Sequence, residues 1–362
     1  MTHTAGTGYQ DFQHELADLI NITIAEGASD LHFSAGYHPT VRVSGTLIPL
    51  VKKPKLTPED ALNFLSAMVS AEHKKKFIEQ QELDYSYSHT DGTRFRGNAA
   101  YQRGLVTIAL RLIPKAIRTF TELALPPVLE TFAQRKQGFF LVVGPVGQGK
   151  STTLAALVDY INSYRSEHII TIEDPIEYLH EPKQCIIHQR EVGTDTENFH
   201  TALLSAFRQD VNVIMVGEMR GSDTISAAVT AAETGHLVLS TLHTNSAAQT
   251  IDRIIDTFPE QQQDQIRVQL AASLVGIFSQ RLVPRIAGGM VPAYELLINS
   301  KAVSNMIREK RTHEVNTVIE TGSEEGMISM NASLADLVRR GEITVEHAFQ
   351  VAGDPRDLER ML

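Results

Sequence analysis

Apolar and polar positions change period several times along the start of the chain. Phe12 to Ala25 set Leu16, Leu19 and Ile20 on one face at helical spacing, which predicts an amphipathic helix. Ser29-Asp30-Leu31-His32-Phe33 reads as a short extended segment. Val41-Arg42-Val43 and Thr46-Leu47-Ile48 flank Ser44-Gly45, the pattern of a hairpin. Thr57-Pro58-Glu59-Asp60 carries a helix start, with Thr57 as N-cap, Pro58 in the first position and Asp60 at capping-box spacing. Tyr85 and Tyr87 alternate with serines up to Asp91-Gly92, a hairpin turn. On the return strand Arg94 and Arg96 share one face and Phe95 takes the other. Leu105 to Leu112 forms a further strand, closed by Pro114.

Beyond a linker near Pro114 to Thr119, apolar runs alternate with helical stretches, the signature of a parallel sheet with crossovers. Phe139–Val143, Ile169–Ile172, Val213–Val216 and Leu237–Leu242 are the strands. Helices follow at Thr152–Tyr164 and Thr224–Thr234, the latter closed by Gly235, and the tail from Ser300 reads as helical. The expected organisation is a mixed α/β domain over 1–114, a linker over 115–119 and an α/β domain over 120–362 with a helical tail.

Composition narrows the function classes. A chain of 362 residues with 42% hydrophobic and 21% charged positions suits two soluble domains with their own cores. The formal net charge of -10 argues against a bulk nucleic-acid binder, and no nucleic acid is expected as a partner. The single cysteine, Cys185, rules out an internal disulfide and a cysteine-based zinc site, and reads as a small buried hydrophobe. No apolar run approaches the ~18 residues of a membrane span. Met1 to Gln13 lacks the apolar core of a leader, so a cytoplasmic location is expected.

Gly144-Pro145-Val146-Gly147-Gln148-Gly149-Lys150-Ser151, followed by Thr152, matches the phosphate-binding loop G-x-x-x-x-G-K-[ST] in full. An apolar strand precedes it and a helix follows. Its glycines let backbone N–H groups turn onto phosphate oxygens, and the helix N-terminus adds positive potential. Lys150 would reach the β- and γ-phosphates of ATP, and the Ser151 hydroxyl would ligate Mg²⁺. Two apolar strands end in acids: Ile170-Thr171-Ile172-Glu173-Asp174-Pro175 and Val213-Ile214-Met215-Val216-Gly217-Glu218. In open α/β sheets ligands bind beyond the carboxyl ends of strands. Glu173 can polarise the attacking water there, with Glu177 assisting. Glu218 can hold Mg²⁺ or act as the base itself; the two glutamates are not separated by sequence. His236 and His243 flank the next strand and suggest a sensor of the γ-phosphate or of a neighbouring subunit.

These blocks, with Thr234-Gly235-His236 and Thr241-Leu242-His243-Thr244-Asn245-Ser246, are similar in order and kind to the Walker A, Asp box, Walker B and His box of the secretion ATPase superfamily. The set most resembles the retraction ATPases of type IV pili, and Ala28-Ser29-Asp30-Leu31-His32 and Arg94-Phe95-Arg96 extend the similarity to the first domain. The resemblance implies a PAS-like N-terminal domain and a RecA-like P-loop ATPase core. It implies a homohexamer with ATP between domains and subunits, an inner-membrane platform protein and a second pilus motor ATPase as partners, and a place at the inner membrane reached through them. Family arginines that reach phosphate map onto Arg94, Arg96 and Arg111, with Arg103 a further candidate; paired arginines on one strand face suit a phosphate clamp. Two positions depart from the pattern. Gln148 stands where serine is common, and Ser304, in Ala302-Val303-Ser304-Asn305, stands for the arginine of a motif linked to retraction. Alternatives are a pilus assembly or type II secretion ATPase, which usually carries a longer N-terminal region and a four-cysteine zinc site, and a DNA-translocating ATPase.

Overall fold

The structure is a computed structural model that describes residues 7–362, with side chains from residue 12; the polar start of the chain lies partly outside the described residues. The chain forms two compact units. The first runs to Ala116 and takes in Glu177–Leu179; the second holds Ile117–Ile176 and His180–Leu362.

In the first unit, helix α1 (Thr7–Ala25) is followed by strands β1 (Asp30–Ser34), β2 (Thr40–Val43) and β3 (Thr46–Pro49), helices α2 (Pro58–Met68) and α3 (Ala71–Gln80), and strands β4 (Glu82–Ser88), β5 (Arg94–Gln102) and β6 (Leu105–Ile113). The strands make one antiparallel sheet in the order β3-β2-β1-β6-β5-β4. Leu31, Phe33, Phe95, Ala99, Ile108 and Leu110 alternate onto one face and pack with Leu16, Leu19, Ile20 and Phe64 of the helices. Thr57 and Asp60 cap α2 reciprocally, as their spacing predicts. Tyr85 lies across β5, and a Cβ at Gly97 would meet its ring at 2.3 Å, so only glycine fits there.

The second unit contains α4 (Leu129–Ala133), β7 (Gly138–Val143), α5 (Lys150–Tyr164), β8 (His168–Glu173), β9 (Ile186–Glu191), α6 (Phe199–Ala206), β10 (Val213–Val216), α7 (Ser222–Glu233) and β11 (Leu237–Leu242). Then follow α8 (Ala247–Asp256), α9 (Glu260–Ser273), the hairpin β12 (Leu274–Pro284) and β13 (Met290–Ile298), and the tail helices α10 (Lys301–Arg308), α11 (Val315–Thr321), α12 (Met330–Arg339), α13 (Val345–Val351) and α14 (Pro355–Met361). The sheet order is β13-β12-β7-β11-β10-β8-β9, parallel except for β13. Its central strands are buried on both faces, which is why they read as continuous apolar runs. Helices α6 to α11 cover one face, and α4 and α5 the other. Helices α12 to α14 close a smaller core against the far ends of β12 and β13. Cys185 is buried in the α5 side of the core, and burial pushes its thiol pKa up.

Candidate functional site

Parallel strands bring their carboxyl ends to one edge. There the second unit gathers Gly144 after β7, Glu173 ending β8, Gly217-Glu218 after β10 and His243 after β11. The loop from Gly144 to Gly149 turns through positive φ at Gly144, Gly147 and Gly149 (+148°, +78° and +78°), conformations that favour glycine. Gly149 then caps α5, so that helix begins at Lys150, two residues before the expected start.

Lys150 is buried, and its ammonium donates to the carbonyls of Gly144 (2.8 Å) and Pro145 (2.9 Å). It also lies 3.2 Å from His243 Nδ1. Burial and the adjacent Lys150 charge push the His243 pKa down, so the neutral ring accepts from Lys150 at Nδ1 and carries its proton on Nε2. That Nε2 stands 3.8 Å from Glu218 Oε2, and the other Glu218 oxygen pairs with Arg220. Lysine, imidazole, carboxylate and guanidinium thus form one line along the strand ends.

Glu173 sits deeper. Its buried carboxylate accepts from Thr171 Oγ1 at 2.7 Å and from the Gln189 amide at 3.3 Å. Gln189 also accepts the His180 backbone N–H at 2.9 Å, and Glu191 accepts that of Ile176 at 3.1 Å, so β9 holds the turn after Glu173 from the side. A Cβ at Gly217 would lie 3.3 Å from the Ile172 carbonyl and 3.5 Å from Glu173 Cα, which requires a small residue between the two acidic strand ends. Ser240 and Thr241 hydroxyls donate to the carbonyls of Val216 and Gly217, both at 2.7 Å, and lock the β10 end to β11.

Not every residue singled out by sequence joins this group. His236 precedes β11, at the amino edge of the sheet. Six residues of strand separate it from His243, about 20 Å at the usual rise. Its Nδ1 lies 2.9 Å from the Ala231 carbonyl and its ring packs near Phe207, so the structure does not bring it to the phosphate loop. Glu177 is grouped with the first unit. Arg94, Arg96 and Arg111 also belong there. Arg96 and Arg111 are direct cross-strand neighbours, and Arg111 faces Asp30 on β1, which faces Arg42 on β2. Arg111 Nε donates to Asp30 Oδ1 at 3.0 Å. Burial raises the Asp30 pKa, but hydrogen bonds from Ser29 and Arg111 outweigh it and hold the carboxyl below its usual range. Arg103 occupies the β5–β6 turn at φ +52°, at the opposite end of β5 from Arg94.

Sequence reading passed over Thr171, Gln189 and Arg220 as site residues. Two of them were within reach of it: Thr171 lies two residues from Glu173 on the same strand face, and Arg220 lies two beyond Glu218, whereas Gln189 sits on the partly buried edge strand β9, which carries no clear strand signal.

The profile of the Type II/IV secretion system protein family matches residues 11–325. The chain is 42% identical over 343 residues to the type IV pilus retraction ATPase PilT of Pseudomonas aeruginosa, covering 95% of this chain and 99% of that one. It is 40% identical to the type IV pilus ATPase PilU of the same organism, over 96% of this chain and 91% of that one. The crystal structure of a pilus retraction motor PilT with bound ADP superposes with a TM-score of 0.89 at 47% identity, over 95% of this chain and 98% of that one. The ATPase DotB of Legionella pneumophila, at 23% identity and a TM-score of 0.77 over 94% and 95%, shares the fold.

Proposed function

The chain belongs to the Type II/IV secretion system protein family, and from that membership and the geometry of its site we propose that it is a motor ATPase that hydrolyses ATP to drive type IV pilus retraction. The observation that carries the reading is the line from Lys150 through His243 to Glu218 at the mouth of a complete phosphate loop. ATP phosphates would take the N–H groups of Gly144–Thr152 and draw Lys150 away from the carbonyls of Gly144 and Pro145. Mg²⁺ fits a site of this kind. Among the described residues no group of three or more His, Cys, Asp or Glu stands together to hold a metal, so Ser151 and phosphate oxygens would hold the ion directly and Glu218 through a water. The bound ion would neutralise charge that builds up on the phosphates.

Glu218 is the better general base, because one imidazole separates it from the phosphate-binding lysine. Glu173, buried and held by Thr171, orients the site from behind. His243 is suited to report the γ-phosphate to Glu218. Arg94, Arg96 and Arg111 would supply positive charge to phosphates from the first unit of the same or a neighbouring subunit in a homohexamer.

No helix of the described residues is long and apolar enough to cross a membrane. The motor would work on the cytoplasmic side and reach the inner membrane through a platform protein, alongside a second motor ATPase. A type II secretion or pilus assembly role is less favoured: the single cysteine, Cys185, cannot build the four-cysteine zinc site that the resemblance implies for those relatives. Cells lacking the protein test the proposal. Surplus surface pili with lost twitching are expected; bald cells would mean that it powers assembly, and unchanged piliation and motility would remove it from the pilus machine.

A further inference from the structure

Strand β12 runs past the end of β7, its last partner there being Ser279 opposite Val143. Residues 280–282 therefore flank the phosphate loop rather than another strand on that side. We propose that Gln148 and Gln280 form a two-amide clamp that fastens the phosphate loop to β12 and fixes the loop's shape for nucleotide. The inference rests on the reading that this loop binds nucleotide, and it names positioning residues for that reaction.

The hydrogen bonds form a closed set. The Gln280 amide N–H donates to the Gln148 carbonyl at 2.7 Å, and its oxygen accepts from Thr153 Oγ1 at 2.7 Å. In return the Gln148 side-chain oxygen accepts the Leu282 backbone N–H at 2.7 Å. Gln280 and Thr153 are buried, so these polar groups have no access to water in exchange. The loop lies against the strand closely enough to demand glycine: a Cβ on Gly149 would come within 2.9 Å of the Gln280 amide nitrogen, and one on Gly144 within 2.5 Å of the Gln280 carbonyl. The same stretch of β12 holds the loop after His243. Ser279 Oγ donates to the Asn245 carbonyl at 3.0 Å, and Arg281 donates to Asn245 Oδ1 at 3.0 Å. One strand thus fastens both the phosphate loop and the segment that carries His243.

The loop's own carbonyls already engage Lys150. Nucleotide must break those contacts while the loop keeps its curvature, and the clamp supplies that resistance without occupying the phosphate cradle. Gln148 makes the Leu282 bond with its side chain, and a serine there is too short to reach.

The test uses the full chain, with ADP as the probe. In Gln148→Ala and Gln148→Ser the Leu282 amide should lose protection in hydrogen exchange by about tenfold, and ADP should bind about fivefold more weakly, the share of one net hydrogen bond. KM for ATP should rise by a similar factor while kcat changes less than twofold. Gln280→Ala should weaken ADP further, and the double variant should lose less than the sum, because both changes open one clamp. If Gln280→Ala fails to fold, the Gln148 pair decides alone. Unchanged Leu282 exchange and unchanged ADP affinity in the Gln148 variants would overturn the clamp, as would a lowered melting temperature with no change in affinity. Should the parent chain not bind ADP, the nucleotide reading itself fails, and the exchange measurement still decides whether the clamp exists.

Discussion

Alanine at each loop glycine probes three different surroundings. At Gly147 (φ +78°) an added Cβ meets nothing within 4 Å, so the cost is conformational alone, about 1–2 kcal/mol for a left-handed L-residue. At Gly149, also at φ +78°, the Cβ would stand 2.9 Å from the Gln280 amide, a side-chain end that can move only by giving up its bond to Gln148. One lost hydrogen bond adds about 1 kcal/mol, for a total of about 2–3 kcal/mol. At Gly144 (φ +148°) the Cβ would lie 2.5 Å from the Gln280 carbonyl, which is backbone and held in the β12–β13 pairing. Overpacking of about 1–3 kcal/mol on top of the conformational cost gives about 2–5 kcal/mol. Calorimetric melting of the nucleotide-free chain reads these costs without interference from phosphate contacts. For a domain of this size each kcal/mol lowers the midpoint by roughly 2–4 °C. The transition of the second unit should therefore fall least in Gly147→Ala and most in Gly144→Ala. A Gly147→Ala loss equal to or above that of Gly144→Ala would refute the placement of the loop against β12.

Glu218→Gln should retain nucleotide binding and lose turnover by at least about a hundredfold, the scale of a removed general base, whereas Glu173→Gln should lose less; single-turnover phosphate release separates them, and the reverse order would make Glu173 the base. Burial pushes the His180 pKa down to about 4 from its ordinary 6.5, with Nδ1 enclosed without a hydrogen-bond partner. The neutral ring therefore supports the fold fully above pH 6.5 and withdraws that support as pH falls toward 4, a change of about 3 kcal/mol at 1.36 kcal/mol per unit. Denaturation midpoints of His180→Gln should be flatter across that window than those of the parent, and parallel curves would count against it. Ser304 turns inward, donating to the Ala271 carbonyl at 2.9 Å and lying 3.1 Å from Asn299 Oδ1, so it ties α10 to the end of α9. Ser304→Arg should cost about 1 kcal/mol of stability through the lost bond while leaving ATP hydrolysis near the parental rate; a gain in stability would mean that the niche accepts arginine.

Local signals carried far in this chain. The capping box at Thr57, the four apolar runs of the central sheet and the phosphate loop each announce themselves within a few residues, because burial on both faces or a required φ dictates the residue type. Strand β9 was not read: its side chains are only partly buried at a sheet edge, and they do not alternate cleanly. Strand β12 was hidden differently, since α9 passes into it at Ser273–Leu274 with no glycine or proline to mark the change. Gly276 within it serves packing, its absent Cβ leaving room for the Phe132 ring. The two histidines around β11 are neighbours in sequence only. In sequence they flank one strand, and in a parallel sheet that places them at opposite edges, with only His243 at the phosphate loop. The Gln148–Gln280 contact spans 132 positions and has no local trace.

The central claim is that this chain is an ATPase working through Lys150. Phosphate release from Mg-ATP, measured on the parent and on Lys150→Ala at matched fold by circular dichroism, tests it most directly. Steady turnover by the parent and loss to background in the variant are expected. Equal rates in the two proteins, or no turnover by the folded parent, would contradict the account.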